Sequence, residues 1–148
     1  MHRRNLFRAA VASIGAAFAG AAVTQARAAV PDKTKVVYHL NELDKVLFVI
    51  GNIENHFEGV GGPDNVTIAL VVHGPALRSF HAASANPDVK GRLASFAKSG
   101  VELGACGNTM KSQKVSLNDL LPGFVSLDRG GVVRIAELQS QGYVYLRP

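Results

Sequence analysis

One cysteine occurs among 148 residues: Cys106, in the stretch GVELGACGNTMKSQ at residues 100–113. A lone thiol does chemistry as its thiolate, which is the form that attacks sulfur and accepts it. Residues 101–105 read as a short strand, and the polar run at 109–113 reads as a helix. A cysteine between them meets free backbone N–H groups and the positive end of the helix dipole, and both stabilise an anionic sulfur. Gly104 and Gly107 remove side chains beside the sulfur, which leaves room for a substrate. Asn108 or Thr109 is placed to cap the helix or to donate a hydrogen bond to the sulfur. The same position also suits a small buried hydrophobe at a strand end, the commonest fate of a free cysteine.

In open α/β sheets, sites form beyond the carboxyl ends of the strands. That rule selects His39, Asn41 and Glu42 after the first strand, His73 and Gly74 after the second, and Cys106 to Thr109 after the third. His73 is the candidate base or cationic neighbour of the thiolate. Asn41, Gly74, Gly107, Asn108 and Thr109 are the candidate substrate-binding residues. His39 faces either core or site, and His56 and His81 read as helix-surface residues. No histidine or cysteine pair falls at metal-ligand spacing, so neither a metal nor a cofactor is expected. The chain has no G-x-S-x-G elbow, dinucleotide fingerprint or Walker motif. The glycines of EGVGGPDN end a helix and lead into a strand, the reverse of a phosphate loop. The sequon at Asn65 opens a buried strand and is not expected to carry a glycan.

Alternating strands and helices must position these groups. Residues 35–40 form a strand, and Asn41 with Asp44 offers a helix start. Leu43, Val46, Leu47, Ile50, Ile53 and Phe57 then share one face, and Phe48 and Val49 extend the apolar surface round the helix. That excess predicts a subunit interface. Residues 66–72 are almost continuously apolar, as in a strand covered on both faces. A short helix follows through Leu77 and Phe80. Asn86-Pro87-Asp88 starts a further helix with Val89, Leu93, Phe96 and Ala97 on one face, and Gly100 stops it. Ser116 and Asp119 begin another short helix in capping-box form. Strand 124–127, helix 132–140 and strand 143–146 complete the chain. The predicted fold class is α/β: a three-layer α/β/α sandwich around a five-stranded, mainly parallel sheet.

Residues 1–28 read as a cleaved signal peptide, and residues 29–148 as one domain. Arg3, Arg4 and Arg8 precede an Ala-rich apolar run, and Ala26-Arg27-Ala28 is a small-x-small cleavage site. The apolar run of about 15 residues is short of the ~20 that span a bilayer, so no stable membrane anchor is expected after cleavage. The paired arginines point to the twin-arginine route and a periplasmic protein. The whole chain has 16 basic and 11 acidic residues, a net +5. Four arginines and no acids lie in the leader, which leaves 12 against 11, a net +1. A nearly neutral domain gives no basic patch for nucleic acid.

The stretches ACGNTM, VVHGPAL and DLLPGF, with the ending VVRIAELQSQGYVYLRP, resemble the DsrE/DsrF-like family, in particular its small stand-alone branch. The resemblance runs from residue 35 to residue 148 and implies the α/β sandwich and a homo-oligomer, a trimer or hexamer. Sulfur-relay members carry persulfide on a cysteine after the third strand, the position of Cys106. The resemblance therefore implies a sulfur-binding or sulfur-relay protein with a donor or acceptor protein as partner. The alternative is an oligomeric small-ligand or structural module in which Cys106 is not catalytic.

Overall fold

The computed structural model describes residues 33–148, so the leader at residues 1–28 lies outside the described residues. Strands β1 (Thr34–Leu40), β2 (Val66–Val72), β3 (Glu102–Cys106), β4 (Phe124–Leu127) and β5 (Val144–Leu146) form one sheet in the order β4-β3-β2-β1-β5. Every neighbouring pair is parallel. All carboxyl ends therefore open on the same edge of the sheet. Four helices connect the strands: α1 (Val46–Gly59), α2 (Pro87–Lys98), α3 (Gly107–Gln113) and α4 (Gly131–Ser140).

From β1 to β4 the chain steps across the sheet in one direction. Right-handed crossovers then lay the connections on one face. There Val36, Tyr38, Leu40, Leu70, Val72 and Leu103 pack with Ile50, Ile53, Leu77, Phe80, Leu93 and Phe96. The β4 to β5 connection runs back to the far side of β1, and α4 lies on the opposite face. A smaller core forms there from Val37, Ala69, Val71, Leu127, Ile135 and Leu138. These are the three layers of the expected sandwich. Arg134 of α4 donates through Nε and Nη2 to the two carboxylate oxygens of Glu102 on β3, at 2.9 and 2.8 Å. This paired contact holds α4 over β3.

Local differences from the sequence expectations have simple causes. Asn41 does not cap the first helix. A 3-10 turn, Leu43–Lys45, comes first with Glu42 at its N-cap and no side-chain cap bond. Asn41 is instead tied to the next strand end, its carbonyl accepting from the Ala76 N–H at 3.2 Å. On α1 the buried residues are Val46, Val49, Ile50 and Ile53, a series at i, i+3, i+4 and i+7. The expected face shared Val46, Ile50 and Ile53 with this series but also took in Leu43 and Leu47, which are both 49% exposed. The outward apolar patch is thus Leu43, Leu47 and Phe48, and Val49 belongs to the core. The segment Gly74–Phe80 and the capping-box segment Leu117–Asp119 are 3-10 turns rather than α-helices. Asn86 caps α2 as expected, its Oδ1 accepting from the Asp88 N–H at 2.8 Å, while Ala97 faces solvent.

Candidate functional site

Cys106 is the last residue of β3 and the N-cap of α3. Leu103 and Ala105 point into the larger core, so alternation turns Cys106 to the α4 side. The side chain is 6% exposed. Burial pushes the thiol up, but the Thr109 hydroxyl and the backbone N–H groups of Gly131, Thr109 and Asn108 pull it down further, and the net shift is downward. Two of those N–H groups open α3 and one opens α4, so two helix starts meet at one sulfur.

The candidate residues divide into those that reach the sulfur and those that build its frame. Thr109 is buried, and its Oγ1 accepts from the Gly74 N–H at 2.9 Å while facing the sulfur. Asn108 contributes its backbone N–H; its side chain is exposed and neither caps α3 nor faces the sulfur. Gly74 has a φ of 59°, which favours glycine. Its carbonyl accepts from Gln113 Nε2 at 2.9 Å, and Gln113 Oε1 in turn bonds His81 Nε2 at 2.8 Å. Asn41 packs under Gly74, with its Oδ1 accepting from Arg147 Nη2 at 3.2 Å.

Gly104 and Gly107 do not open a path for substrate. A Cβ on Gly104 would stand 2.8 Å from Leu127 Cδ1, and one on Gly107 would stand 3.0 Å from the Leu127 carbonyl oxygen. Their missing side chains let β4 and the following loop close against β3. The glycine beside the sulfur is Gly131, whose Cβ would lie 3.4 Å from Cys106 Cβ and 3.6 Å from His73 Cβ. Sequence reasoning from the first three strand ends does not reach it. The Gly130-Gly131 pair after the fourth strand was the available signal.

His73 follows β2 directly, just beyond the pair Val72 and Ala105, which sets it next to Cys106. Its Nε2 lies 2.5 Å from Nε2 of His39, and Nδ1 of His39 lies 2.6 Å from the Tyr145 hydroxyl. The two imidazole centres are 4.7 Å apart with 21° between planes. Rings meeting nitrogen to nitrogen, head-on, give that separation; rings stacked face to face at the same nitrogen distance would be closer. His39 therefore belongs to the site. Burial lowers His39 most, with His73 and Arg147 adding to it against the opposing pull of Glu42, to a pKa of about 4. Burial, then Arg147, also lowers His73. His73 is thus neutral near pH 7, which suits proton exchange and removes the role of cationic neighbour. His56 and His81 are half-buried rather than surface residues, His56 being bonded through Nδ1 to the Tyr38 hydroxyl at 2.9 Å. Among the described residues, no group of three or more His, Cys, Asp or Glu side chains is placed to hold a metal ion.

The depressed histidine has a consequence for stability. An unfolded His39 takes up a proton below its ordinary value of 6.5, whereas the folded residue resists until about 4. Across that window the unfolded chain binds more protons, so stability falls as pH falls. His39→Gln is expected to reduce that slope in denaturant melts taken through the window. A slope equal to wild type would remove His39 as its source.

The DsrE/DsrF-like family model matches residues 12–148, beginning within the stretch whose composition reads as a leader. No curated protein matches the chain. The protein of unknown function MTH1491 from Methanobacterium thermoautotrophicum is a similar solved structure, with 26% identity and a TM-score of 0.68 over 78% of this chain and 99% of that one. The ychN protein from E. coli shares 16% identity at a TM-score of 0.63, over 78% of this chain and 99% of its own. The conserved protein BT1422 from Bacteroides thetaiotaomicron shares 15% at 0.58, over 77% of this chain and 94% of its own. The last two likenesses concern the fold alone. With the parallel five-stranded sheet, a cysteine at the third strand end and a family match over nearly the whole chain, this chain belongs to the DsrE/DsrF-like family.

Proposed function

We propose that this protein carries sulfane sulfur as a persulfide on Cys106. The supporting observation is the setting of that sulfur, faced by three backbone N–H groups and a hydroxyl that outweigh its burial. Donors so placed favour an anionic sulfur, whether thiolate or persulfide. In loading, the Cys106 thiolate attacks the terminal sulfur of a donor R–S–SH. The donor S–S bond breaks, R–S⁻ leaves and takes a proton, and Cys106–S–SH remains. Delivery to an acceptor thiol follows the same exchange in the other direction. Oxidation states balance, so a carrier needs a donor and an acceptor but no cofactor and no second cysteine. The low exposure of Cys106 favours small donors such as inorganic polysulfide. The test is exposure of the native protein to polysulfide, read by intact mass. One added sulfur per chain, removed by reductant, is expected; no addition sinks the reading. The burial of Cys106 also favours a second reading, a small-ligand or structural module with an inert thiol. Slow alkylation of the folded protein is its mark.

The exposed Leu43, Leu47 and Phe48 support assembly into a homo-oligomer, a trimer or hexamer. Leu47→Glu with Phe48→Glu is expected to break it into smaller species by light scattering. A wild-type monomer at micromolar concentration defeats the assembly. The paired arginines and the Ala26-Arg27-Ala28 site support export to the periplasm. Arg3→Lys with Arg4→Lys is expected to leave an unprocessed precursor in the cytoplasm, and normal export of that variant removes the twin-arginine route.

A further inference from the structure

Tyr145, His39 and His73 form an unbroken line of polar contacts that ends beside Cys106. Tyr145 opens it at the surface, 37% exposed on the edge strand β5. It pairs with Val37, so Tyr145 and His39 share the α4 face. The contacts are 2.6 Å from the Tyr145 hydroxyl to His39 Nδ1, and 2.5 Å from His39 Nε2 to His73 Nε2. The remaining nitrogen of His73 is Nδ1, the one nearer its Cβ. That Cβ and Cys106 Cβ both lie within 4 Å of where a side chain on Gly131 would begin.

The head-on contact between two Nε2 atoms holds a single hydrogen, so one ring donates and the other accepts. Two arrangements satisfy the whole line. In the first, Tyr145 donates to His39, His39 donates to His73, and His73 Nδ1 carries a proton. In the second, His73 donates to His39, His39 donates to the Tyr145 oxygen, and His73 Nδ1 is bare. Passing from the first to the second delivers one proton at His73 Nδ1 and takes one from solvent at Tyr145. Burial, with Arg147 close by and Glu42 opposing it at His39, keeps both rings neutral, so tautomers rather than charges carry the proton.

We propose that Tyr145, His39 and His73 relay a proton from solvent to the group that leaves when Cys106 attacks a sulfur–sulfur bond. This rests on Cys106 acting as a nucleophile, as in the function proposed above. The thiolate that attacks brings no proton of its own, and Cys106 is only 6% exposed. A strongly basic leaving thiolate must then draw its proton through the line, whereas a weakly basic leaving group needs none. Tyr145 and His39 are positioning residues that act through His73.

Two reagents separate these cases because both place the same CH3S group on Cys106. Methyl methanethiosulfonate releases methanesulfinate, a weak base. Dimethyl disulfide releases methanethiolate, a strong base that takes up a proton. Tyr145→Phe and His39→Gln are expected to slow the disulfide reaction about tenfold or more at neutral pH. The thiosulfonate reaction should keep its wild-type rate in Tyr145→Phe. Added imidazole should restore the disulfide rate of Tyr145→Phe by passing the proton to His39 in place of the missing hydroxyl. Tyr145→Phe removes one exposed hydroxyl and decides the matter if His39→Gln does not fold. Equal slowing with both reagents, or slowing with neither, overturns the relay. If Tyr145→Phe shows the split while wild-type protein takes up no sulfane sulfur, the relay stands and the sulfur-carrier reading sinks.

Discussion

Cys106→Ala is expected to abolish sulfur uptake completely. No other cysteine is present to take the sulfur, so the single-sulfur adduct should vanish rather than diminish. The variant should remain folded. The residue ends a strand, a small side chain becomes a smaller one, and the principal core lies on the other face of the sheet. The cost is about 1–2 kcal/mol, mainly because the N–H groups of Asn108, Thr109 and Gly131 lose the sulfur they face. Cys106→Ser restores an acceptor for those groups without a nucleophile at neutral pH. It should match wild type more closely in a thermal melt and still take up no sulfur. Intact mass after polysulfide treatment, beside melts of both variants, is the measurement. A reducible sulfur adduct on folded Cys106→Ala would show that the chain holds sulfur by another means, and the carrier reading would go with it.

Most of the architecture is legible because its signals are local. The continuous apolar run of β2 announces a strand covered on both faces, and Val66–Val72 is buried almost throughout. Asn86-Pro87-Asp88 announces α2, and the cap bond is present. Alternation of strands and helices then leaves few topologies. What local signals do not fix is the face of α1. Two overlapping apolar series share Val46, Ile50 and Ile53, and the sheet selects the one through Val49 over the one through Leu43 and Leu47.

The site is legible in the same partial way. The strand-end rule brings Cys106, His73 and Thr109 to one edge, because all five strands run parallel. It does not reveal that His39 meets Tyr145, 106 residues later. That contact needs β5 beside β1, and the chain reaches that place by crossing back over the sheet, a step no local pattern encodes. The glycines around Cys106 are ambiguous in sequence for a related reason. A missing side chain near a thiol serves equally for access or for close packing, and only Leu127, 2.8 Å from the position of a Gly104 Cβ, decides between them.

Thr109→Val tests whether the buried hydroxyl sets the reactivity of the thiol. The substitution keeps a branched side chain of similar shape and removes a group with two tasks. The Thr109 Oγ1 accepts from the Gly74 N–H, and the hydroxyl is the strongest of the influences that lower Cys106. Loss of the first task strands a partly buried donor, at a cost of about 1–3 kcal/mol. Loss of the second raises the thiol, because burial then meets fewer opposing donors. A hydrogen bond to a charged group is worth about 1.5–3 kcal/mol, so iodoacetamide should alkylate the folded variant roughly tenfold or more slowly at neutral pH. The two effects also separate by pH. A thiol lowered in the folded state adds stability that is fully present above its ordinary value and is lost as pH falls through the folded one. Thr109→Val forfeits that share, so its deficit against wild type should be larger in alkaline than in neutral buffer. The Gly74 donor does not titrate, and its share of the deficit should be the same in both. Thr109→Ser, which keeps the hydroxyl, should recover most of the alkylation rate. If Thr109→Val instead reacts as fast as wild type, the hydroxyl serves Gly74 alone. The thiol would then owe its reactivity to the two helix starts that converge on it.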